Sequence, residues 1–224
     1  MGISLALPAA ALIALATQSA RAQAPVPAPE RGPGERHHDG VYVRIALGVS
    51  YLHDSYESNG DNVFFGDSKG TITGFGQANE LAIGGALAPG LILAGAMVMD
   101  LARTTHADYS GEPVHPKDAY VMATFGPMVD YYFDPNAGLH LEAGGGLGIV
   151  SGVQPEGVDG GGGTGFGLFC GVGNEWWIAK QWALGGLLRL HYVSAHESEF
   201  AIFDTLRVDH RALGVALLFD ATFN

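Results

Sequence analysis

From Val41 to the end of the chain, apolar residues alternate with small or polar ones at a period of two. In VYVRIALGVSYLH, residues 41–53, every odd position as far as Tyr51 is apolar, and the even positions carry small, polar or charged residues. A period of two puts the two sets on opposite faces of a β-strand, and no helical period competes with it. The pattern predicts eight strands, each exceeding the roughly 9 residues that a tilted membrane strand needs. The seven later segments are about 73–87, 91–104, 119–133, 139–153, 164–178, 182–196 and 210–223.

The connections between these strands alternate in length. Residues 88–90, 134–138 and 179–181 form short turns, whereas long loops are predicted at about 54–72, 105–118, 154–163 and 197–209. Short turns at one end and long loops at the other are typical of outer-membrane barrels, whose short turns are periplasmic. The odd turn lengths keep the apolar faces of paired strands matched, so Ile178 is predicted to pair with Trp182.

The two faces of the predicted strands differ in a way that favours a membrane over water. The apolar face carries aromatic residues at both strand ends, which predicts an aromatic girdle at each membrane–water boundary, with Trp177 pointing inward instead. The opposite face is rich in Gly and Ala, whereas a soluble lipocalin-like barrel would expose a richly charged outer face. The sequence therefore favours a transmembrane barrel with a narrow lumen, and the soluble barrel is the alternative. The predicted girdle residues are Tyr51, Phe75, Tyr131, Phe133, Phe166, Trp176, Trp182, Tyr192, Phe219 and Phe223.

Ten ionisable residues fall on the inward face. Six are carboxylates and two are arginines, and buried charges are costly unless paired, so we expect a network of ion pairs that plugs the lumen. A small cation-preferring pore is the alternative, because the Gly and Ala lining could leave a void. The predicted lumen charge network is Arg44, Glu80, Asp100, Asp130, His140, Glu142, Glu175, Arg189, His191 and Asp220.

Two finer expectations concern this network. Arg44 and Asp220 lie at similar heights on the first and last strands, which must be neighbours in a closed barrel, so we expect an ion pair between them. Asp130, Glu142 and Glu175 lie on consecutive strands with His140 nearby and no basic residue at that level. Such carboxylates raise one another's proton affinity or recruit a cation, so we expect a protonated cluster or an adventitious metal site.

The N-terminal residues resemble an export signal followed by a linker. Residues 3–16 are apolar, and Ala20-Arg21-Ala22 gives a cleavage pattern, so residues 1–22 are predicted to be a signal peptide. Residues 23–40 form a Pro/Gly-rich periplasmic leader, which should be extended. His37-His38 could bind metal there, but a solvated tail is the favoured interpretation. Within the fourth strand, Pro127 predicts a locally compensated bulge, since a closed barrel has no edge to accommodate proline.

Composition excludes several functions and leaves others as alternatives. Asp and Glu outnumber Lys and Arg by 23 to 11, which argues against a nucleic-acid partner. The single Cys170 offers neither a disulfide nor a zinc set. Arg103 and Arg211 face outward at the long-loop ends, where they could contact lipopolysaccharide phosphates or simply mark the membrane boundary.

The strongest candidate for enzyme chemistry is LHYVSAHESE, which contains His191, Ser194, Glu197 and Glu199. Some outer-membrane barrels of this size are lipid A deacylases, which carry a lipid-exposed His-x-Ser on one face of a strand and a nearby Glu. The spacing here puts the imidazole and the hydroxyl on opposite faces, so direct activation of the serine is geometrically poor. A polar strand end is the favoured interpretation, and an outer-membrane lipid-modifying enzyme is the alternative.

Over residues 41–224, the exported start, the eight alternating strands and the last strand ALGVALLFDATFN resemble the small eight-stranded outer-membrane barrels, such as the OmpA transmembrane domain and OmpX. The resemblance implies an all-β, eight-stranded antiparallel up-and-down transmembrane β-barrel in the outer membrane of a Gram-negative cell. It also implies that the barrel-assembly machinery reads the outward C-terminal aromatics, although Asn224 follows Phe223 and departs from that pattern.

We therefore expect a monomeric, non-enzymatic barrel with a narrow polar lumen. Its surface loops would serve binding or envelope integrity, its partners would be outer-membrane lipid and lipopolysaccharide, and it would need no cofactor or metal.

Overall fold

The computed structural model describes residues 36–59, 68–109, 112–114, 119–152, 162–201 and 204–224. These residues form strands and connecting turns, and they include no helix long and apolar enough to cross a bilayer. The predicted signal peptide and most of the predicted leader lie outside the described residues. The strands are β1 (Val41–Asn59), β2 (Ser68–Ala88), β3 (Leu91–Tyr109), β4 (Glu112–Val114), β5 (Ala119–Tyr132), β6 (Leu139–Ser151), β7 (Gly162–Trp177), β8 (Trp182–Ala201) and β9 (Asp204–Phe223).

Eight long antiparallel strands close into a barrel. Each of them pairs with its neighbours in the ring, and β1 pairs with both β2 and β9, so the first and last strands seal the wall. The three-residue β4 pairs with the far end of β3 and lies outside the ring. The eight predicted strands correspond to β1–β3 and β5–β9, which confirms the predicted fold class.

The strands extend further toward the long-loop end than the alternation predicts. β1 continues to Asn59, β8 reaches Ala201 and β9 starts at Asp204, so much of the predicted loops at 54–72 and 197–209 is strand. Beyond a bilayer both strand faces meet water, so the apolar alternation disappears there. The backbone amides and carbonyls still pair, and the hairpins continue without any apolar pattern to indicate them.

The short turns match the predicted parity. Trp177 pairs with Ala183, and the Ile178 amide donates to the Trp182 carbonyl at 3.0 Å, which confirms the predicted pairing across residues 179–181. The turn between β2 and β3 contains Gly90 with φ of 78°, a left-handed conformation that a residue with a Cβ adopts only at a cost.

Pro127 interrupts one ladder without changing its register. Between β5 and β6, Phe125 pairs with Leu147 and Met128 with Gly144, whereas residues 126 and 127 have no partners on β6. The two pairs are three residues apart on both strands, so the register is the same on either side of the irregularity, which is compensated locally, as predicted. On its other side β5 pairs with β3 continuously, and Pro127 lies opposite Gly95.

The barrel is apolar on the outside and polar at mid-height inside. Large hydrophobic side chains are exposed around the whole wall, and eight of the ten predicted girdle residues are among them. Tyr192 and Phe223, the other two, are half-buried. Trp176 is 64% exposed, whereas Trp177 turns inward and its indole N–H donates to the Asn136 carbonyl at 3.2 Å.

We predict that lipid quenching separates the three tryptophans. In single-tryptophan variants reconstituted with brominated lipids, Trp176 and Trp182 should be strongly quenched by bromine close to the head groups. The Trp177 variant is the matched control, since its neighbour in sequence faces the other way. Equal quenching of Trp176 and Trp177 would contradict the assigned faces.

Candidate functional site

The guanidinium of Arg44 lies inside the lumen and is fully buried. Its Nη2 donates to Glu80 Oε1 at 2.7 Å and to Glu142 Oε2, and its Nη1 donates to Asp130 Oδ2 at 2.9 Å. Tyr42, from the same strand, donates its hydroxyl to Asp130 Oδ2 at 2.9 Å. One cation from β1 therefore pairs with three carboxylates, one each from β2, β5 and β6.

A second buried guanidinium, that of Arg189 on β8, extends the network toward the middle of the barrel. Its Nη1 donates to Glu80 Oε2 at 3.0 Å, and its Nη2 to Asp100 Oδ1 at 3.5 Å. Glu80 thus bridges the two arginines. Asp100 Oδ2 lies 2.6 Å from His191 Nδ1. The other ring nitrogen of His191, Nε2, lies 2.8 Å from Thr124 Oγ1.

The part of the network close to the short turns is built around His140 and Glu175. His140 Nδ1 lies 2.8 Å from Asp130 Oδ1, and Glu175 Oε1 accepts hydrogen bonds from Tyr132 at 3.1 Å and Thr222 at 2.7 Å. All ten residues of the predicted network are buried, with exposed fractions of 0–3%. The hydroxyl groups of Tyr42, Thr124, Tyr132 and Thr222 were not among the predicted site residues, although each belongs to an inward residue at the level of a charged one.

The predicted ion pair between Arg44 and Asp220 is wrong. The register places Arg44 opposite Thr222 and Asp220 opposite Ala46, and neither carboxylate oxygen of Asp220 has a hydrogen-bond partner. The arginine side chain crosses the lumen toward β5 and β6 and does not lie along the wall toward β9.

The position of the Arg44 side chain also corrects the expected cluster of Asp130, Glu142 and Glu175. No basic residue lies at that level on the three strands concerned, but Arg44 reaches them from β1 and pairs with Asp130 and Glu142. Glu175 remains without an arginine. Among the described residues, no group of three or more His, Cys, Asp or Glu side chains is arranged to hold a metal ion.

Inward glycines on β7 provide the space for these side chains. A Cβ at Gly173 would overlap the ring of His140, and one at Gly171 would crowd the carboxylate of Glu142. The glycine-rich wall therefore accommodates long polar groups from other strands.

The long-loop half of the lumen is closed by an apolar layer. The layer consists of buried side chains from seven strands. It separates the charge network from a polar group around Asp54, whose Oδ2 lies 2.8 Å from His210 Nδ1 and whose Oδ1 accepts the Arg211 amide at 3.1 Å. The members of the layer are Leu52, Ile72, Ala102, Tyr120, Met122, Val150, Val193, Ala195 and Ala212.

The short-turn end is closed by His38, which corrects the expectation of a solvated tail. The imidazole is fully buried and stacks on Tyr132 with ring centroids 3.5 Å apart, and its Nδ1 lies 3.1 Å from Asn224 Oδ1. Its backbone amide donates to the Pro135 carbonyl at 3.1 Å, and its carbonyl accepts the Gly90 amide at 2.9 Å. Burial lowers the pKa of His38 below its ordinary 6.5. Asn224, which departs from the aromatic ending of the family, thus helps to hold the leader in place.

The remaining candidate residues stay apart from one another. Arg103 and Arg211 are exposed on the outer wall, on β3 and β9. His191 faces the lumen, whereas Ser194 lies on the opposite face of β8, so the structure does not bring them together. Glu197 is buried at the long-loop end, and the side chain of Glu199 lies outside the described residues.

Two solved structures of outer-membrane proteins are similar to this chain. The crystal structure of OprG from Pseudomonas aeruginosa matches with a TM-score of 0.54 at 12% identity, covering 85% of this chain and 99% of that one. The solid-state NMR structure of AlkL in lipid bilayers matches with a TM-score of 0.48 at 15% identity, covering 88% and 95%. No protein-family model matches the chain, and neither does any curated protein.

The similarity to OprG shows that the chain has the fold of the small eight-stranded outer-membrane barrels. Its exposed apolar wall is incompatible with water and suited to lipid. Together the fold and the wall place the protein in the outer membrane.

We predict that Arg44→Met destabilises the folded barrel by about 3–5 kcal/mol, because it leaves three buried carboxylates without their cation. Arg103→Gln, on the outer wall, is the matched control and should change the free energy of unfolding by less than about 0.5 kcal/mol. Urea unfolding in detergent measures both. Equal effects of the two substitutions would mean that the network does not hold the strands together.

We also predict that acid releases the docked leader. The pKa of the buried His38 is lowered, so a released imidazole takes up a proton before a docked one, and docking should weaken as the pH falls below about 6.5. The fluorescence of Trp177, whose ring lies 4.6 Å from that of His38, reports the change in a single-tryptophan variant. His38→Ala should abolish the response and the adjacent His37→Ala should retain it; a response unchanged in His38→Ala would refute this origin.

Proposed function

We propose that this protein is a non-enzymatic outer-membrane barrel with a closed lumen, which displays its long-loop end for binding or for envelope integrity. The observation that carries the proposal is the dense ion-pair network at mid-lumen, which leaves its residues at most 3% exposed.

Three successive barriers support the closed state. From the short-turn end these are the docked His38, the charge network around Arg44 and Arg189, and the apolar layer that contains Leu52 and Met122. A hydrated ion would have to displace the leader, break buried salt bridges and then cross a dry apolar section. Each step is costly, and the second alone exposes uncompensated charge.

Polar pairs on the extended hairpins support a role for the long-loop end. Lys69 Nζ lies 2.8 Å from Glu57 Oε1, and His196 Nδ1 lies 2.5 Å from Asp209 Oδ1. These side chains are mostly exposed, and individual pairs of this kind add little stability. Such charged hairpins, carried beyond the apolar wall, offer a polar surface to partners outside the cell.

A small cation-preferring pore is the second candidate, favoured by the excess of six lumen carboxylates over two arginines. Planar-bilayer recordings distinguish the two functions. The closed barrel should give no unitary currents at neutral pH, whereas cation-selective steps in the wild type would replace our proposal with the pore. Arg44→Met serves as the sensitivity control if it folds, since removing the central cation should make openings more frequent.

An outer-membrane lipid-modifying enzyme is the disfavoured alternative. The imidazole of His191 is occupied by Asp100 and Thr124 inside the lumen, on the face of β8 opposite Ser194. His196 shares the face of Ser194, but its Nδ1 is held by Asp209 Oδ1 at 2.5 Å. Incubation of the purified protein with lipopolysaccharide should therefore release no fatty acid. Release that is lost in Ser194→Ala would overturn the non-enzymatic assignment.

We predict that Arg103 and Arg211 contribute to lipopolysaccharide binding. Arginine matches phosphate with two parallel hydrogen bonds, and both side chains are exposed at the long-loop end of the apolar wall. The double change to glutamine should leave folding in neutral detergent unaltered and reduce co-purifying lipopolysaccharide. Lys69→Gln is the control, because this lysine already pairs with Glu57. Equal retention in all three proteins would show that the arginines only mark the membrane boundary.

A further inference from the structure

Two lumen carboxylates have no arginine partner. Glu80, Asp130 and Glu142 pair with Arg44, and Glu80 and Asp100 pair with Arg189, which leaves Glu175 and Asp220. Both are buried, with exposed fractions of 3% and 0%. An unpaired carboxylate in a dry site is expensive, so positive charge must reach this pair from elsewhere.

The two carboxylates face one gap, on either side of Gly185. In the ladders, Glu175 on β7 and Asp220 on β9 are both direct partners of Gly185 on β8. A Cβ on this glycine would lie 2.7 Å from Glu175 Cγ and 2.8 Å from Asp220 Oδ1. The missing side chain therefore lets two groups of like charge approach the same point of the wall, beside the Asn174 carbonyl oxygen, which a Cβ would also approach to 2.7 Å.

The polar atoms around this gap lack partners. Both oxygens of Asp220 and Oε2 of Glu175 have no hydrogen bond, whereas Glu175 Oε1 is occupied by Tyr132 and Thr222. The fully buried His140 lies over Gly173 on the other side of Glu175, with its unpartnered Nε2 3.9 Å from Glu175 Oε1. Three carboxylate oxygens beside Gly185 are thus left without a hydrogen-bond donor.

The other charged groups nearby do not neutralise the pair. Two arginines and at most two protonated lumen histidines face six carboxylates, so at least two negative charges remain. The groups that act on Asp220 and Glu175 from the surrounding strands and the leader are Arg44, Glu80, Asp130, Tyr132, His140 and His38. The cations among them are already shared with other carboxylates or lie beyond contact distance.

We infer that the gap over Gly185 is a binding site for one small monovalent cation, either a proton shared by Asp220 and Glu175 or a sodium-sized ion held between them. Both candidates place one positive charge between the two carboxylates that lack an arginine, and hard oxygen ligands suit both. A three-ligand metal centre is not required. The site lies close to the short turns, so it exchanges with the periplasm, and it is independent of the role proposed for the loops.

The test uses the full folded barrel in detergent and follows urea unfolding with sodium or choline as the cation, at equal ionic strength, from about pH 6 to about pH 9. If sodium occupies the site, the wild type unfolds at higher urea in sodium than in choline at alkaline pH, and Asp220→Asn loses this difference. If a proton occupies it, wild-type stability in choline falls as the pH rises, Asp220→Asn flattens the profile, and an infrared band of a protonated carboxyl group disappears in that variant.

Three further variants complete the design. Glu175→Gln should reproduce Asp220→Asn, and Gly185→Ala should remove a sodium response while leaving a proton response, because its methyl group occupies the gap. Glu57→Gln, at an exposed carboxylate, is the matched control and should behave as the wild type does. The inference is overturned if the wild type, Asp220→Asn and Glu57→Gln respond identically to both sodium and pH.

Discussion

The salt bridges between the Arg44 guanidinium and three carboxylates are the interaction on which the rest of the lumen depends. They join β1 to its neighbour β2 and, across the barrel, to β5 and β6, with which β1 shares no ladder. Because a bilayer surrounds the wall, the carboxylates cannot turn outward to water, and they must be neutralised inside. The cation that neutralises them also fills the space between them, so the charge balance of the lumen and its closure have the same origin.

The exterior of this barrel could be predicted from the sequence because its signal is local. Alternation within one strand fixes which residues face lipid, turn parity fixes the pairing of Ile178 with Trp182, and the unchanged phase around Pro127 fixes a compensated irregularity. All three depend on neighbours within one strand or hairpin. The lumen contacts could not be predicted in the same way, because Arg44 contacts strands on the other side of the barrel. Which strands face each other at a given height depends on the stagger of the ladder, and the alternation pattern does not contain the stagger.

The burial of His38 is a second feature that could not be predicted from the sequence. His38 has no periodic context, and a Pro/Gly-rich segment before the first strand is typical of a linker. Its burial follows from contacts with Tyr132, Asn224 and the two turns that contain Gly90 and Pro135, which lie in three widely separated parts of the sequence. Asn224 follows the last outward aromatic, and its side-chain contact with His38 becomes apparent only when the segment before β1 is in place.

The two ends of the lumen are therefore closed by different kinds of interaction. At the long-loop end, apolar side chains exclude water, and only their replacement or movement would admit an ion. At the short-turn end, the closure is a polar segment held by a few hydrogen bonds and a ring stack, immediately next to the carboxylates that lack arginine partners. Water and small cations reach the network more readily through the second closure, since breaking a few hydrogen bonds that water can replace costs less than wetting an apolar layer. Any exchange of charge with the lumen is accordingly expected from the periplasmic side.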